Sequence, residues 1–308
     1  MMKEEKVSVS SKFWLCSADC LCGTLSGLIT GGGMTYFYTK YLGLDEGLAS
    51  IVWMIFAVWN ALNDPLFGYI SDRTKSKLGR RIPYIRYGAL LYGVIFILSW
   101  FLWPLGGSQT ALFVQMLVSL FFFDTFYTAI ATSLYVLPYT MAESNQARSG
   151  IFVWKIFFTL LSLAAPLPLV RPDVGESASR FQTIMIMLGV VTTLVIFFST
   201  FFYKEKYTSD AEEAPGLWES ICQCFKNRAF LVYEVISFTV IFVQTILMQG
   251  VVYYFDEFTV PMPLAYASLG VGAVCGIILW TKSMGKIGVA KCIIVMSVAF
   301  AAGATLVI

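Results

Sequence analysis

The chain has 308 residues, of which 58% are hydrophobic and only 13% are charged, and its mean hydropathy is +0.74. A soluble domain needs about a quarter of its residues charged to solvate its surface, so this composition excludes an ordinary soluble protein. The net charge of +2 identifies no partner by itself. The sequence contains no histidine, which argues against hydrolytic enzymes and histidine-based proton relays.

Apolar runs that are long enough to cross a bilayer recur along the chain, because a spanning helix needs about 20 mostly apolar residues. The polar segment 1–12 that precedes them does not resemble a removable signal peptide. In the first run, the Gly31-Gly32-Gly33 triplet is expected to allow close helix packing or a flexible point. We predict nine spanning helices, at 13–39, 47–70, 85–104, 109–138, 149–170, 181–203, 229–255, 262–282 and 289–308.

Lys and Arg residues are distributed unevenly among the connections between these runs. Of the 21, 18 fall in the N-terminal segment and in alternate connections on the same side, and only Lys40, Arg171 and Arg180 fall on the other side. The positive-inside rule therefore places the N-terminus in the cytoplasm. We expect an integral, multi-pass protein of the plasma membrane or an organelle membrane, with the lipid bilayer as its partner.

The longest polar connection, 204–228, follows the sixth run. It contains Pro215-Gly216 and then an amphipathic stretch, 217–226, suited to the cytoplasmic membrane interface. This stretch carries Cys222 and Cys224, and a disulfide between them is not expected on the cytoplasmic side. We predict three regions: a six-helix bundle at 1–203, a cytoplasmic linker at 204–228 and a partial bundle of about three helices at 229–308.

Acidic residues inside the predicted spans are candidate site residues, because a charge in the bilayer is costly unless it has a partner or faces a cavity. In the second run Asn60 and Asp64 are spaced i, i+4 and share one helix face. This pair could hold Na⁺ through its oxygen atoms, or Asp64 alone could carry a proton; alternatively, Asp64 is a structural cap that pairs with the following basic loop. Asp124, deep in the fourth run, also needs a partner or a cavity.

Four further residues are candidates for contacts to a substrate. Asp19 and Thr24 lie in the first run, Tyr127 lies in the fourth and Lys155 lies in the fifth. A sugar ring could stack on Tyr127, although aromatic side chains are also common at membrane interfaces and helix packing seams. Lys155 either snorkels to the cytoplasmic surface or faces inward.

A compact basic loop (residues 72–81) follows the second run. We predict that it stabilises one conformation at the cytoplasmic face, through Asp72, Arg73, Lys75, Gly79, Arg80 and Arg81.

The stretch from Asn63-Asp64-Pro65 through the basic loop to Pro83-Tyr84 resembles the signature of the glycoside–pentoside–hexuronide:cation symporters. These form the melibiose permease family of the major facilitator superfamily. Weaker agreement is found at Leu137-Pro138 and at Trp154-Lys155. The resemblance implies an all-α polytopic membrane protein of the major facilitator fold, in which two six-helix bundles are joined by a linker. Only about three runs follow the linker here, so we expect an incomplete or truncated member.

Carried over by position, the resemblance also implies a cation or proton site. Asp64 matches one of the family's two cation-binding carboxylates in its second helix, and Asn60 stands where the other would be. The family's fourth-helix carboxylate falls at Ile130 or Ala131, and Asp124 is an imperfect substitute. These departures favour H⁺ coupling, or no coupling, over Na⁺. No other cofactor is expected.

The family's sugar-contacting acid of the first helix falls near Thr24, with Asp19 more than a turn away, and Lys155 matches its basic residue near the sugar. The resemblance implies a secondary active transporter that works by alternating access and carries a small-molecule substrate such as a sugar or glycoside. Two alternatives stay open: a lysolipid or amphiphile facilitator, and a non-transporting membrane scaffold that kept the fold. No nucleophile–base pair indicates an enzyme, no nucleic-acid partner is expected, and the oligomeric state is open.

Overall fold

The computed structural model describes residues 6–103, 107–164, 178–206, 216–257 and 289–305, with a few positions between 271 and 283. All regular structure in these ranges is helical, which confirms the predicted all-α fold class. The chain divides into two units, Met1–Ala214 and Pro215–Ile308. The division falls inside the segment predicted as a linker, 204–228.

The described part of the first unit consists of helices that coincide with the first six predicted runs. They are α1 (Val9–Tyr41), α2 (Glu46–Arg73), α3 (Ile82–Leu98), α4 (Gln109–Met141), α5 (Asn145–Ala164) and α6 (Ala178–Ser199). The side chains of Ser8, Asp45 and Ser108 accept hydrogen bonds from first-turn amides of α1, α2 and α4. Such caps satisfy donors that a helix start leaves unpaired.

Helix α3 ends earlier than its predicted run, which extended to residue 104. The chain turns after Leu98, and the side chain of Gln115 on α4 binds the turn. Gln115 accepts a hydrogen bond from the amide of Trp103 at 3.0 Å and donates to the carbonyl of Phe101 at 2.7 Å. The apolar composition of 99–103 predicted helix, but this buried amide stabilises a turn instead.

The second unit is described at three helices. They are α7 (Leu217–Lys226), α8 (Arg228–Glu257) and α9 (Val289–Thr305). Helix α7 is the predicted amphipathic stretch and contacts α8. Helices α8 and α9 coincide with the runs predicted at 229–255 and 289–308, whereas the run predicted at 262–282 lies largely outside the described residues.

Helix α4 contacts α1, α2, α3 and α5, and α6 packs against α1 and α3. The core between these helices is strongly aromatic: Tyr38, Tyr92, Phe96 and Trp100 are all fully buried. The hydroxyl of Tyr92 donates to the carbonyl of Cys22 at 2.9 Å. A large apolar ring is therefore buried without leaving its polar atom unsatisfied.

Several helices of the first unit have the length and composition of membrane spans. Among the described residues, α1, α2, α4 and Phe181–Ser199 of α6 are long and apolar enough to cross a bilayer, and α3 is a shorter apolar helix. The outer face of α2 is apolar and exposed, with Met54 71%, Val58 63% and Leu62 63% exposed. Apolar surface of this extent requires lipid or protein cover.

The glycine triplet breaks α1 near its middle. The α-helical part, Val9–Leu28, is followed by a kink at Ile29–Gly33, where Gly31 and Gly32 leave helical backbone angles. A π-type turn at Phe37–Tyr41 ends the helix.

Two of the three glycines are required by this bend. Gly32 has a φ of +94°, a conformation that L side chains rarely adopt. A Cβ atom on Gly33 would collide with the backbone oxygen of Leu28. The triplet is therefore a fixed bend in this conformation, rather than only a place of close packing.

Replacing Gly33 by alanine is expected to destabilise the protein by about 1–3 kcal/mol, because overpacking against a backbone atom cannot be relieved by a side-chain rotation. The melting temperature in detergent measures the effect. The Gly31→Ala variant is the matched control, since a Cβ there would meet nothing within 4 Å. Equal melting temperatures for the two variants would contradict the bend.

Candidate functional site

Two consecutive polar side chains of α2 are bound by two side chains of α4 that lie one helical turn apart. Asn63 Nδ2 donates to Asp124 Oδ2 at 3.0 Å, and Thr128 Oγ1 donates to Asp64 Oδ1 at 2.9 Å. Asn63, Asp124 and Thr128 are buried, whereas Asp64 is exposed on the surface of the unit. We call these four residues the α2–α4 cluster. It brings two carboxylates from neighbouring helices close together.

Asn60 and Asp64, which the i, i+4 spacing places on one helix face, are both exposed on α2. Asp64 contacts α4 through Thr128, and the second contact is made by its buried neighbour Asn63, which was not among the predicted site residues. The spacing of apolar residues in α2 was the available signal, because Asn63 continues the stripe formed by Ala49, Val52, Phe56 and Phe67, which faces inward in the structure.

An ion pair joins α1 to α5. Lys155 Nζ lies 3.3 Å from Asp19 Oδ2 and 3.5 Å from the carbonyl oxygen of Leu134. The Lys155 side chain is 11% exposed, so it faces inward and does not snorkel to the membrane surface. Its ammonium group also lies 5.6 Å from the centre of the Tyr135 ring. Each charge compensates the other in surroundings where either alone would be costly.

A cavity of about 160 Å³ adjoins this ion pair. Thr24 is buried beside it, donating to the carbonyl of Cys20 at 2.9 Å and lying 3.5 Å from Ser162 Oγ. Ligand sites are typically about 300–1,000 Å³, so a solute as large as a disaccharide requires the cavity to widen. The cavity is lined by Asp19, Cys20, Cys22, Gly23, Tyr127, Ala131, Thr159 and Ser162.

Helix α4 connects the cavity to the α2–α4 cluster. Asp124, Tyr127 and Thr128 are spaced i, i+3 and i+4, so they occupy neighbouring positions on one side of the helix. Tyr127 lines the cavity, and the other two bind α2. The predicted cation residues and the predicted substrate residues, apart from Asn60, are therefore close together in the fold.

The basic loop (residues 72–81) is held by its own side chains. The buried guanidinium of Arg81 donates to Ser71 Oγ at 2.7 Å and forms an ion pair with Asp72. The guanidinium of Arg73 lies 3.5 Å from the centre of the Tyr69 ring. The contacts of Arg81 join the end of α2 to the start of α3, whereas Lys75 is exposed.

Glu205, which sequence reasoning missed, closes the basic loop against the start of α3. Its carboxylate accepts hydrogen bonds from the backbone amides of Arg80, Arg81 and Ile82, at 3.0, 2.7 and 3.0 Å. A carboxylate at this position also interacts favourably with the positive end of the α3 dipole. Gly79 has a φ of +106°, and a Cβ there would stand 2.6 Å from the same carboxylate.

Glu205 belongs to a segment, residues 200–206, that we call the strap. The strap leaves α6 and crosses the ends of other helices of the first unit. Ser11 Oγ at the start of α1 donates to the carbonyl of Phe202 at 2.6 Å, and the amide of Lys206 donates to the carbonyl of Thr140 at 3.0 Å. The strap therefore links the basic loop to α1, α4 and α6.

The donor set of these sites suits an alkali cation or a proton better than a transition metal. Within the described ranges, no group of three or more His, Cys, Asp and Glu side chains is placed to hold a metal ion. The α2–α4 cluster offers carboxylate and hydroxyl oxygen atoms, which are ligands for hard cations.

Comparison with known proteins identifies a transport family. The family model described as MFS/sugar transport protein matches residues 24–308. The uncharacterised symporter YnaJ of Bacillus subtilis (strain 168) is 26% identical over 258 residues, which are 81% of this chain and 55% of that protein. The isoprimeverose transporter of Lactiplantibacillus pentosus is 23% identical over 302 residues, which are 93% of this chain and 62% of that protein.

A third relative has a different kind of substrate in its name. The sodium-dependent lysophosphatidylcholine symporter 1 of Mus musculus is 26% identical over 186 residues, which are 57% of this chain and 33% of that protein. The chain spans about half the length of the first curated relatives that it matches.

Removing the Glu205 carboxylate is expected to lower the melting temperature, because three amides at the start of α3 lose their acceptor. Loss of a single helix cap costs about 1 kcal/mol, and the Glu205→Ala variant should lose at least that much. Glu205→Gln, which keeps one acceptor oxygen, should fall between this variant and the wild type. Glu46→Gln on the exposed start of α2 serves as the control. A Glu205→Ala protein as stable as this control would contradict the assignment.

Removing one member of the Asp19–Lys155 pair is expected to destabilise the protein more than removing both. Breaking a fully buried ion pair costs about 3–5 kcal/mol because one charge is left uncompensated. The loss for Lys155→Met and for Asp19→Asn should be smaller, because Asp19 lines a cavity and is not fully buried. The double variant should recover most of the loss. Melting temperatures of the two singles and the double form the measurement.

The exposed pair Lys40–Glu46, at 2.9 Å, provides the matched control, because its removal should change the melting temperature little. Additive losses at Asp19 and Lys155 would show that the two charges do not compensate each other.

Proposed function

Because the chain belongs to the family of MFS/sugar transport proteins, we propose that it is part of a secondary active transporter. In this proposal a small solute such as a sugar or glycoside crosses the membrane together with a cation by alternating access. The observation that supports it is the α2–α4 cluster beside the cavity. Acidic side chains inside a membrane span are retained where they serve ion or substrate pathways. Membership of this family makes the chain an integral membrane transport protein and not an enzyme.

The coupling cation in this proposal binds at the α2–α4 cluster. Asp64 and Asp124 supply two carboxylates on neighbouring helices, and one carboxylate can bind a proton by itself, whereas a sodium ion needs several oxygen ligands. Proton uptake by one carboxyl group would remove one charge, and the remaining carboxylate would keep its own hydrogen bond, from Asn63 at Asp124 or from Thr128 at Asp64. We therefore propose H⁺ as the coupling ion, with Na⁺ bound by the same oxygen atoms as the alternative.

The solute in this proposal binds in the cavity beside the Asp19–Lys155 pair. A carboxylate accepts hydrogen bonds from sugar hydroxyl groups, and an ammonium group donates to them. The ring of Tyr127 offers an apolar face on which a sugar ring can stack. A bound solute would exchange hydrogen bonds with both members of the ion pair, so its binding would alter the contact between α1 and α5.

The basic loop and the strap lie on the cytoplasmic side in this proposal. The uneven distribution of Lys and Arg supports this orientation, because 18 of the 21 fall on the side that carries the basic loop. The N-terminus is then cytoplasmic as well. The contacts of Arg81 and Glu205 would stabilise the conformation described here and would have to rearrange if the loop moved during transport.

An amphiphile is the second candidate substrate class. One supporting observation is the similarity to the mouse lysophosphatidylcholine symporter. Another is a group of aromatic rings that includes two residues close to Lys155 in the sequence: the centre of the Phe13 ring lies 6.5 Å from the centre of the Trp154 ring and 5.8 Å from that of Phe158. An acyl chain could pack on these rings while the Lys155 ammonium binds a phosphate group.

Neutralising Asp64 should abolish cation-driven uptake while leaving the protein folded. The measurement uses proteoliposomes that contain the full-length protein purified from its own cells. Radiolabelled β-galactoside and radiolabelled lysophosphatidylcholine are offered in separate assays. Each solute is tested under a pH gradient and under a Na⁺ gradient. Asp64→Asn and Asp124→Asn should each lower gradient-driven uptake at least tenfold, since each removes a carboxylate of the cluster.

Glu46→Gln, which changes an exposed acid at the start of the same helix, should transport at the wild-type rate. Wild-type uptake by Asp64→Asn would refute the cation site. Uptake driven by Na⁺ at constant pH would overturn H⁺ coupling. Transport of neither solute class by the wild-type protein would favour the non-transporting alternative.

A further inference from the structure

Helix α7 presents an exposed apolar face that carries two cysteines. Trp218 is 77% exposed and Phe225 is 66% exposed. Cys224 is exposed and Cys222 is partly exposed, and both are free thiols. In contrast, Cys16, Cys20, Cys22 and Cys292 are buried.

The helical repeat places the two thiols at the borders of this apolar face. An α-helix advances by about 100° per residue, so Trp218 and Phe225 lie about 20° apart around the axis. Cys222 lies about 40° beyond Trp218, and Cys224 lies about 100° from Phe225 in the other direction. The opposite side of the helix carries the polar residues Glu219, Ser220, Gln223 and Lys226. A helix of this kind lies flat in a membrane interface, with its border residues at the level where lipid meets water.

Helix α7 is also joined closely to a helix that the sequence predicts to cross the membrane. Only Asn227 separates α7 from α8. The Asn227 side chain accepts hydrogen bonds from the amides of Ala229 and Phe230, at 3.0 and 3.3 Å, and so fixes the start of α8. At a rise of about 1.5 Å per residue along the helix axis, Cys224 lies within roughly 6 Å of the start of α8.

Basic residues at this junction indicate which surface the helix faces. Lys226 and Arg228 are both exposed, and the cytoplasmic leaflet attracts basic side chains next to a membrane span because its lipids are anionic. The predicted orientation places α7 on this side. Exposed thiols on an amphipathic helix that adjoins a spanning helix are typical acceptors for reversible acylation.

We propose that Cys222 and Cys224 are S-acylation sites and that the apolar face of α7 rests on the cytoplasmic leaflet. The co-substrate is a long-chain fatty acyl-coenzyme A. The deprotonated Sγ of the cysteine attacks the thioester carbonyl carbon, a new carbon–sulfur bond forms and the bond to coenzyme A sulfur breaks. Coenzyme A leaves as a thiolate and takes up the proton that the cysteine lost. The acyl chain then enters the leaflet beside Trp218 and Phe225.

This proposal rests on the cytoplasmic orientation proposed above, and the experiment separates the two. The full-length protein is expressed in its own cells, free thiols are blocked, thioesters are cleaved with hydroxylamine and the released thiols are tagged with a polyethylene glycol maleimide. The wild type should show bands shifted by one and two tags, only after hydroxylamine. Cys222→Ser and Cys224→Ser should each remove one shift, and the double variant should remove both.

Two further variants test the role of the apolar face. Cys275→Ser removes another exposed thiol and should leave both shifts in place. Trp218→Ser combined with Phe225→Ser keeps both cysteines but removes the aromatic pair, and it should reduce tagging at least fivefold. Unchanged tagging of this variant would overturn the membrane-resting face.

After the acyl groups have been removed, the protein is labelled with a membrane-impermeant maleimide, once in intact cells and once after permeabilisation. The comparison reports on which side of the membrane Cys224 lies. Labelling of intact cells would overturn the orientation. Labelling only after permeabilisation, together with no hydroxylamine-dependent shift in the wild type, would overturn S-acylation and leave the orientation standing.

Discussion

Polar groups inside an apolar helical bundle must find partners, and this constraint organises the first unit. Moving a polar group from water into such surroundings without a new hydrogen-bond partner costs about 2–7 kcal/mol, and an unpaired charge costs more. The described structure meets this cost mainly with contacts between helices. Asn63 and Asp64 bind α4, Lys155 on α5 binds Asp19 on α1, and Tyr92 on α3 binds a carbonyl of α1. The polar residues thus determine which helix faces meet, while the aromatic core supplies most of the buried area.

Helix α4 has a special place in this arrangement because one side of it serves two sites. Its Asp124 and Thr128 bind α2, and its Tyr127 lines the cavity beside the Asp19–Lys155 pair. A change of charge in the α2–α4 cluster and a change of occupancy in the cavity would both act on the same two turns of one helix. Such sharing is a physical route by which two ligands influence each other's binding, since both bias the position of one element.

Much of the architecture could be predicted from the sequence, because membrane spans are long, apolar and bounded by charges. The described helices follow the predicted runs closely, and Asp64 and Asp124 stood out as acids in apolar surroundings. Asn63 was not predicted as a site residue because the i, i+4 spacing from Asp64 selected Asn60. In the structure, Asn63 is one of the residues on the buried face of α2. The direction of Lys155 was left open, since only the contact with another helix decides it.

Contacts to the backbone were the least predictable part. Glu205 binds three amides, and amides carry no signature in a sequence, so a search for charge complementarity finds no reason to select it. The early end of α3 has a similar origin, because Gln115 binds the backbone of a turn that composition alone describes as helix. Both features depend on residues that are distant along the chain, and local patterns do not contain that information.

The break at the glycine triplet changes the helical phase of α1. Gly31 and Gly32 have non-helical backbone angles, so the positions beyond them are not in the rotational register of an uninterrupted α-helix. Residues after Gly33 therefore do not share faces with the residues that a straight helical wheel would assign to them. Asp19 and Tyr38 lie on opposite sides of this break, so their directions around the helix axis cannot be read from a single helical wheel. An alignment without gaps to a relative whose first helix is unbroken would therefore assign the side chains after the glycines to the wrong face of the helix.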